Sequence, residues 1–491
     1  MKKGMSVLLV GIAFMVACSG IATAGLMDTL GLGSKATALG GAFCAYADDP
    51  FAIYYNPAGL TQIDRFTVSN GVHIAYPSIK VNSFHVDNGV YKVLGTEKEM
   101  ENIGLNGFAD ISNKERLVPA PHFATAYPIS KNMVAGFAVY APFGASAYWP
   151  ETGNPGAYNS TFGSFTRITA TPTISYMVNK KLSVGFGISI GATEVKAERL
   201  FYVPPEVKNQ LQSQYNTLVR NGSQLQHKIK AAIEADGKKV VAELLDTFNY
   251  SFNLGAMYRL TDKVTLGITY RSRTDVKVDG TVELEGLQES YGNTPNGNPI
   301  LSKVDGETEV DHPPQFQFGI RCQPSEEFSI MIDYVWTRWS ITDGYTIKLS
   351  PKLLDNREEE DFTRDWEDTS QLRFGFEWIS DDFLTVRCGY YFDPSPVPDD
   401  TFDFASSDVN KSVYSLGLGF NLGQLTIDTV FQYISSEDRE SAASGTENEP
   451  LTASYEFLYE EDLDAEAYDQ VVTYKANMKV WSAGATINYA F

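Results

Sequence analysis

Arginine is well suited to holding a carboxylate away from water, because its guanidinium stays charged and donates two parallel hydrogen bonds. Arg199 closes the run Lys196-Ala197-Glu198-Arg199 at the end of an expected strand, beside a long segment of helical period. Pairing with a buried carboxylate ligand is one use of that side chain, and an ion pair with Glu198 or a loop acid is the other. Catalytic groups are poorly represented. The chain has five histidines, and no Ser or Asp stands at a nucleophile-motif spacing, so an enzyme is not expected. Cys44, Cys322 and Cys388 follow the export signal described below, an odd number at wide spacing that is expected as three unpaired, sheltered thiols. Glu460, Glu461, Asp462 and Asp464 lack a recognisable cation-ligand spacing, and neither a metal nor a cofactor is expected.

The elements that would position Arg199 are set by a two-residue alternation recurring from Arg65 to the end of the chain. In the last segment Trp481, Ala483, Ala485, Ile487, Tyr489 and Phe491 share one face, and Ser482, Gly484, Thr486, Asn488 and Ala490 share the other. The same division separates Tyr414, Leu416, Leu418 and Phe420 from Ser415, Gly417, Gly419 and Asn421, and Leu372, Phe374, Phe376 and Trp378 from Arg373, Gly375 and Glu377. Segments of about ten residues with aromatic ends fit strands that face lipid outward and a polar lumen inward. A soluble sandwich would turn its apolar face inward and use shorter strands. Six short connections, from Ser130-Lys131-Asn132 to Leu422-Gly423-Gln424, read as periplasmic turns. With a first and a last strand they predict an all-β, closed antiparallel transmembrane barrel of fourteen strands over residues 65–491, with the long connections outside.

Export is written at the start of the chain. Lys2 and Lys3, an apolar run from Met5 to Ala17 and the small residues Ala22-Thr23-Ala24 read as a signal over residues 1–24. Cys18 as a lipid-modified terminus is the alternative, opposed by Met15 three places upstream. After the signal no apolar stretch approaches the ~20 residues a spanning helix requires, which leaves a closed barrel as the way to satisfy a membrane-embedded backbone. Losing Lys2 and Lys3 moves the formal charge from −22 to −24, and a chain this acidic is no partner for nucleic acid.

Two long connections stand out. Residues 201–247 change period from two to about 3.6, through Leu211, Tyr215 and Leu218, then Leu225, Ile229 and Ile233, then Val241, Leu244 and Leu245. A helical hairpin or three short helices is predicted, either packed on itself above the barrel or presenting an apolar groove to a ligand. Residues 437–471 are strongly acidic, with Arg439 as their sole base, which fits a solvated loop, with cation bridging to lipopolysaccharide as a second use.

Residues 25–64 carry no barrel alternation. A Gly/Ala-rich run containing Gly40 and Gly41 precedes Asp48-Asp49-Pro50 and Asn56-Pro57-Ala58-Gly59. Asp49 and Asn56 each stand before a proline, the pattern of an N-cap with proline at the first helical position. Phe51, Ile53, Tyr54, Tyr55 and Leu60 need burial, so a compact plug (hatch) inside the lumen is predicted in preference to a disordered leader.

At these residues the sequence resembles the FadL-type family of outer-membrane long-chain fatty-acid and hydrocarbon transporters. Gly40-Gly41-Ala42, Ala47-Asp48-Asp49 and Asn56-Pro57-Ala58 match the family's hatch pattern, and the likeness continues through Pro119-Ala-Pro-His-Phe123, Lys196-Ala-Glu-Arg199, Thr269-Tyr-Arg-Ser272, Asp393-Pro-Ser-Pro-Val-Pro398 and Asn488-Tyr-Ala-Phe491. The resemblance implies a fourteen-stranded barrel blocked by the hatch, passive capture of a fatty acid or other hydrophobic molecule near the third and fourth extracellular loops, transfer to a pocket and hatch rearrangement. Lateral exit is implied at an inward kink of the third strand, at Ala141-Pro142-Phe143-Gly144, where Pro142 cannot donate to a ladder. Arg199 matches the family's ligand-contacting arginine. The family's second basic contact has no clean counterpart in Arg357-Glu-Glu-Glu-Asp-Phe-Thr-Arg364, and Arg364 is the substitute, which leaves a neutral or aromatic hydrocarbon open as the ligand. Arg271, Arg321, Arg373, Arg387, Asp333, Glu377 and Asp428 are expected as lumen pairs that hold the hatch, and His73 and His122 are expected to point inward. The terminal Phe491 suggests recognition by barrel-assembly machinery, and the family suggests a monomer. A lipid hydrolase or an adhesin is the reading from another class.

Overall fold

The computed structural model describes residues 26–28, 31–87, 90–93, 96–99, 109–203, 205–354, 357–402, 404, 408–441 and 471–491. The expected signal segment, residues 1–24, and most of the acidic connection, 442–470, lie outside the described residues.

Alternating residues build fourteen antiparallel strands, each hydrogen-bonded to its neighbours in the chain. They are β1 (Thr67–Asp87), β2 (Val118–Ser130), β3 (Met133–Tyr148), β4 (Phe162–Met177), β5 (Leu182–Leu200), β6 (Lys239–Arg259) and β7 (Val264–Arg271). The series continues with β8 (Gln315–Cys322), β9 (Phe328–Thr337), β10 (Thr369–Ile379), β11 (Leu384–Asp393), β12 (Lys411–Leu422), β13 (Leu425–Ser436) and β14 (Val471–Ala490). Pairing of β1 with β14, from Thr67↔Ala490 to Asp87↔Val471, closes the cylinder. Phe491 N–H donates to the Phe66 carbonyl at 2.9 Å beyond the last ladder pair.

The faces divide as the alternation requires. Tyr250, Phe252 and Leu254 of β6 are exposed on the outer wall, whereas Asn249, Ser251 and Asn253 between them are buried. Likewise Tyr414 and Leu416 are exposed while Ser415 is buried, and Trp481 and Ile487 are exposed while Ser482 and Thr486 are buried. Among the described residues no helix is long and apolar enough to cross a membrane. All six short turns join consecutive strands at one end.

At the opposite end the ladders run further than the apolar alternation suggests. Residues assigned to long connections form strands at Lys303–Glu309, Gly344–Leu353 and Arg357–Thr363, because backbone pairing continues after the side chains turn polar. Between β5 and β6 the chain forms α3 (Pro205–Arg220) and α4 (Gln226–Ala235), numbered after two helices of the N-terminal segment: α1 (Ser34–Ala38) and α2 (Ala52–Tyr55). A third helix over Val241, Leu244 and Leu245 does not form, because β6 begins at Lys239. Val240, Ala242 and Leu244, at period two, are the buried set there. The thiols also differ from expectation: Cys44 is buried and Cys388 is exposed on the outer face of β11, so not all three are sheltered.

Residues 31–63 fold within the cylinder. Pro57 follows Asn56 at the first position of a short 3-10 helix (Pro57–Gln62), and Asn56 Oδ1 accepts from Ala58 N–H at 3.1 Å as an N-cap. Asp49 Oδ1 accepts from Phe51 N–H at 2.8 Å, but α2 begins only at Ala52 with Phe51 at its N-cap and no side-chain cap, so the expected Asp49-Pro50 start is a turn ahead of the helix and not its first position. Phe51, Ile53, Tyr54, Tyr55 and Leu60 are buried in one cluster with Ala124, Ala126, Ala138 and Met331 of the wall.

Candidate functional site

The inner segment is held by inward-facing groups of the strands. Asp333 Oδ2 accepts from Cys44 N–H at 2.8 Å, Arg271 Nη1 donates to Tyr54 O at 3.0 Å, and Ser34 N–H donates to Thr486 Oγ1 at 2.9 Å. Tyr46 O–H donates to Glu377 Oε1 at 2.6 Å, and Arg321 lies 3.8 Å over the Tyr46 ring. Glu377 and Asp428 bind Arg387 from two sides, each at 2.7 Å. Lys35 pairs with Asp48 at 2.7 Å. Burial is the largest single influence and works against the charge of Lys35, but Asp48, Tyr46 and Glu377 together outweigh it and hold the ammonium above its usual pKa. Asn56 Nδ2 donates to Cys44 O at 2.8 Å and to Ala256 O at 3.1 Å, tying two turns of the segment to β6.

Wall glycines let the two bodies meet backbone to backbone. A β-carbon on Gly185 would overlap Pro57, one on Gly267 would overlap the Cys44 carbonyl, and one on Gly375 would stand 2.8 Å from Leu39 O. Gly40 and Gly41 have φ of 65° and 72°, and a β-carbon on Gly40 would stand 3.0 Å from Tyr390 N. Gly59 lies against Ala47, while Ala58 O accepts from Ser175 Oγ at 3.2 Å.

Towards the loop end, a cavity of about 280 Å³ is lined by Trp149, Phe162, Phe165, Tyr345, Phe362 and Trp366. Arg199 and Arg364 line this same cavity, although they come from different parts of the wall. The ladder places Arg199 on β5 opposite Val240, and both residues face the cavity. Arg364 follows the hairpin of Gly344–Leu353 and Arg357–Thr363. Its N–H donates to Asp343 O at 2.9 Å and its carbonyl accepts from Thr401 Oγ1 at 2.6 Å, so the backbone is pinned on both sides. The side chain is 4% exposed, donates from Nη2 to Tyr345 O–H at 3.3 Å, and lies 5.4 Å and 5.7 Å from the Tyr345 and Phe362 ring centres. Glu198, the alternative partner of Arg199, pairs with Lys239 at 3.0 Å. An apolar pocket with two guanidinium groups can bury an alkyl chain, at roughly 0.8 kcal/mol per CH₂, while satisfying an anionic end. Trp149, Trp366 and Phe404 complete the lining from connecting segments, where no periodicity marks them.

On the wall below, β3 leaves its neighbour. Pairing with β2 ends at Phe123↔Val139, although β2 stays paired to β1 as far as Ala75↔Val118. Against β4, Tyr140↔Thr169 is followed by Phe143↔Arg167, so Ala141 and Pro142 together oppose Ile168. A three-residue strand, Leu26–Asp28, pairs with β3 here, at Leu26↔Gly144 and Asp28↔Phe143. His73 and His122 are both buried, with ring centres 6.2 Å apart. Among the described residues no cluster suited to a metal ion is found.

A closed cylinder, apolar outside, polar inside and filled by its own leading segment, defines an outer-membrane transport barrel. The family model for outer membrane transport proteins of the OMPP1/FadL/TodX type matches residues 13–491, and the chain belongs to that family. It is 25% identical over 463 residues to a putative outer membrane protein of Neisseria meningitidis serogroup B, covering 91% of this chain and 94% of that protein. A long-chain fatty acid transport protein of Escherichia coli is 23% identical over 461 residues, covering 91% and 90%. Among solved structures, a Pseudomonas aeruginosa FadL homologue superposes with a TM-score of 0.70 at 17% identity, covering 95% of this chain and 100% of that one. The Ralstonia pickettii toluene transporter gives 0.59 at 16%, covering 94% and 98%.

Proposed function

We propose that this outer-membrane protein takes up long-chain fatty acids, or hydrophobic molecules with a similar anionic end, without an energy source of its own. The observation that carries the reading is the convergence of Arg199 and Arg364 on one aromatic-lined cavity. A carboxylate buried there without a partner would cost several kcal/mol, and paired guanidinium groups remove that cost. The relative from Escherichia coli is a long-chain fatty acid transport protein, which agrees with this ligand class.

The route begins at the loops around α3 and α4 and passes to the cavity. The hatch, residues 31–63, then shifts to open the lumen beneath, and the ligand leaves sideways where β3 parts from β2, at Ala141, Pro142, Phe143 and Gly144. No bond is made or broken along this path. A neutral or aromatic hydrocarbon is the second reading, favoured by the aromatic lining, since such a ligand needs no charged partner.

Binding of oleate and of hexadecane to the purified protein distinguishes the two. Arg199→Ala is expected to weaken oleate about ten- to hundredfold while sparing hexadecane, as loss of a charge-assisted bond does. Equal weakening of both ligands would remove Arg199 from the role, and tighter binding of hexadecane than of oleate by the unaltered protein would favour the neutral ligand.

A further inference from the structure

Arg167 lies on the inward face of β4, two residues from Phe165, which lines the cavity. It is 2% exposed. Its Nε donates to Asn249 Oδ1 at 2.8 Å and its Nη2 to Ser251 Oγ at 3.2 Å, and both acceptors are neutral. Asn249 Nδ2 in turn donates to Asp246 Oδ2 at 3.2 Å, so that acid reaches Arg167 through an amide and not as an ion pair. Among the described residues no hydrogen bond runs from Nη1. Arg387 is treated differently, since two carboxylates hold it at 2.7 Å. A buried guanidinium with neutral partners retains most of its attraction for an anion.

A stack of three rings lies beside Arg167 and reaches the cavity through Phe165. His312 lies 4.4 Å from Phe143 with an interplanar angle of 13°, and 4.8 Å from Phe165 at 40°. Two backbone hydrogen bonds with Thr274, at 3.1 and 3.0 Å, hold His312 in place. Phe143 is the first paired residue after the bulge in β3, and its ladder partner on β4 is Arg167 itself. The stack therefore links the cavity, through Phe165, to the place where β3 departs from β2.

We propose that Arg167 is a second carboxylate site, occupied by the ligand's anionic end in transit from the cavity to the β3 gap, and that the Phe143–His312–Phe165 stack parts to admit it. The proposal rests on the carboxylate reading of the cavity. A head group that leaves Arg199 and Arg364 must pass this aromatic stack, and without a further cation it would do so unpaired, at the cost of a lone buried charge. Arg167 lies beside the stack with donors to spare. A neutral hydrocarbon gains nothing from it.

The test uses cells in which the full chain is the sole uptake protein for labelled oleate and hexadecane, with binding measured on the purified protein. Arg167→Gln is expected to lower oleate uptake at least about tenfold, while hexadecane uptake stays within about twofold and oleate affinity within about threefold, the pattern of a step after capture. Arg167→Lys should keep most of the oleate uptake. Should Arg167→Gln fail to reach the folded, heat-modifiable state, Ser251→Asp, which offers Nη2 an internal carboxylate, is expected to give the same selective loss. Unchanged oleate uptake in a folded variant, or equal loss for both ligands, overturns the second site and leaves the cavity reading standing. If the unaltered protein binds oleate no better than methyl oleate, the cavity reading falls and the second site falls with it.

Discussion

Gly389 of β11 and Gly40 of the hatch touch backbone to backbone, so closely that a β-carbon on Gly389 would overlap the Gly40 nitrogen. Neither partner can retreat cheaply, since one belongs to a strand ladder and the other has a φ of 65°. Overpacking a well-filled interior typically costs about 1–3 kcal/mol. Gly389→Val is therefore expected to displace the hatch while the barrel, whose ladders do not depend on it, still closes. Planar-bilayer recordings should then show ion conductance well above that of the unaltered protein. An unchanged, silent channel would mean that the hatch is not seated by this contact.

Arg387 gives a prediction of different sign for its two kinds of variant. Glu377 and Asp428 are both 2% exposed and both bind it at 2.7 Å. Removing the shared cation leaves two buried acids facing each other, and breaking such a pair costs about 3–5 kcal/mol. Arg387→Ala should lower the temperature at which heat-modifiable migration is lost by many degrees. Arg387→Ala combined with Glu377→Gln and Asp428→Asn should recover much of the loss, because no uncompensated charge remains. Failure of the triple variant to recover would show that packing, and not charge, is what Arg387 supplies.

The hatch can be loosened without overfilling. Asn56 caps the 3-10 helix through its Oδ1 and ties Cys44 and Ala256 through its Nδ2. Asn56→Ala removes a cap worth about 0.5–2 kcal/mol and leaves the Cys44 and Ala256 carbonyls short of a donor. Hydrogen exchange over residues 52–62 is expected to speed up by about ten- to hundredfold with barrel strands unaffected. Exchange that rises equally in β6 would point to a global effect.

Much of the fold was legible because a lipid-facing wall imposes a strict alternation, and the six turns between Ser130 and Gln424 interrupt it visibly. The start of the 3-10 helix was legible through Asn56-Pro57, whose cap geometry is local. What period alone misjudged was the entry to β6. Val241, Leu244 and Leu245 mimic a helical face, but Val240, Ala242 and Leu244 are the buried set of a strand. Arg199 and Arg364 could each be singled out as an arginine, yet their meeting in one cavity depends on a closure that no local spacing encodes. Arg167 and His312 gave no signal at all, since an inward arginine on an alternating strand looks like any lumen cation.

If Arg199 and Arg364 hold one carboxylate, their removal should not be additive. Each single change to methionine is expected to weaken oleate about tenfold or more, whereas the double change should cost clearly less than the product of the two. Coupling of about 0.5–3 kcal/mol is typical of groups sharing a partner. Independent effects on oleate would assign the two arginines to separate tasks, such as head-group binding and support of the Tyr345 and Phe362 rings.

The bulge in β3 makes capture and exit separable. Ala141 and Pro142 share the place opposite Ile168, so deleting Pro142 puts Ala141 opposite Ile168 without moving Phe143 from Arg167 or reversing any face beyond it. The straightened strand then presents donors to the stretch of β2 from Val118 to His122, which is paired on its β1 side alone among the described residues, once it displaces the short strand Leu26–Asp28 from Phe143 and Gly144. With the wall zipped, the lateral path is closed while the cavity at the loop end keeps its lining. Oleate affinity should remain within about threefold and uptake should fall to background, a loss confined to the step after binding. Undiminished uptake by a folded deletion variant would require an exit through the lumen, past a displaced hatch, and the gap beside β3 would then be no more than a consequence of the proline.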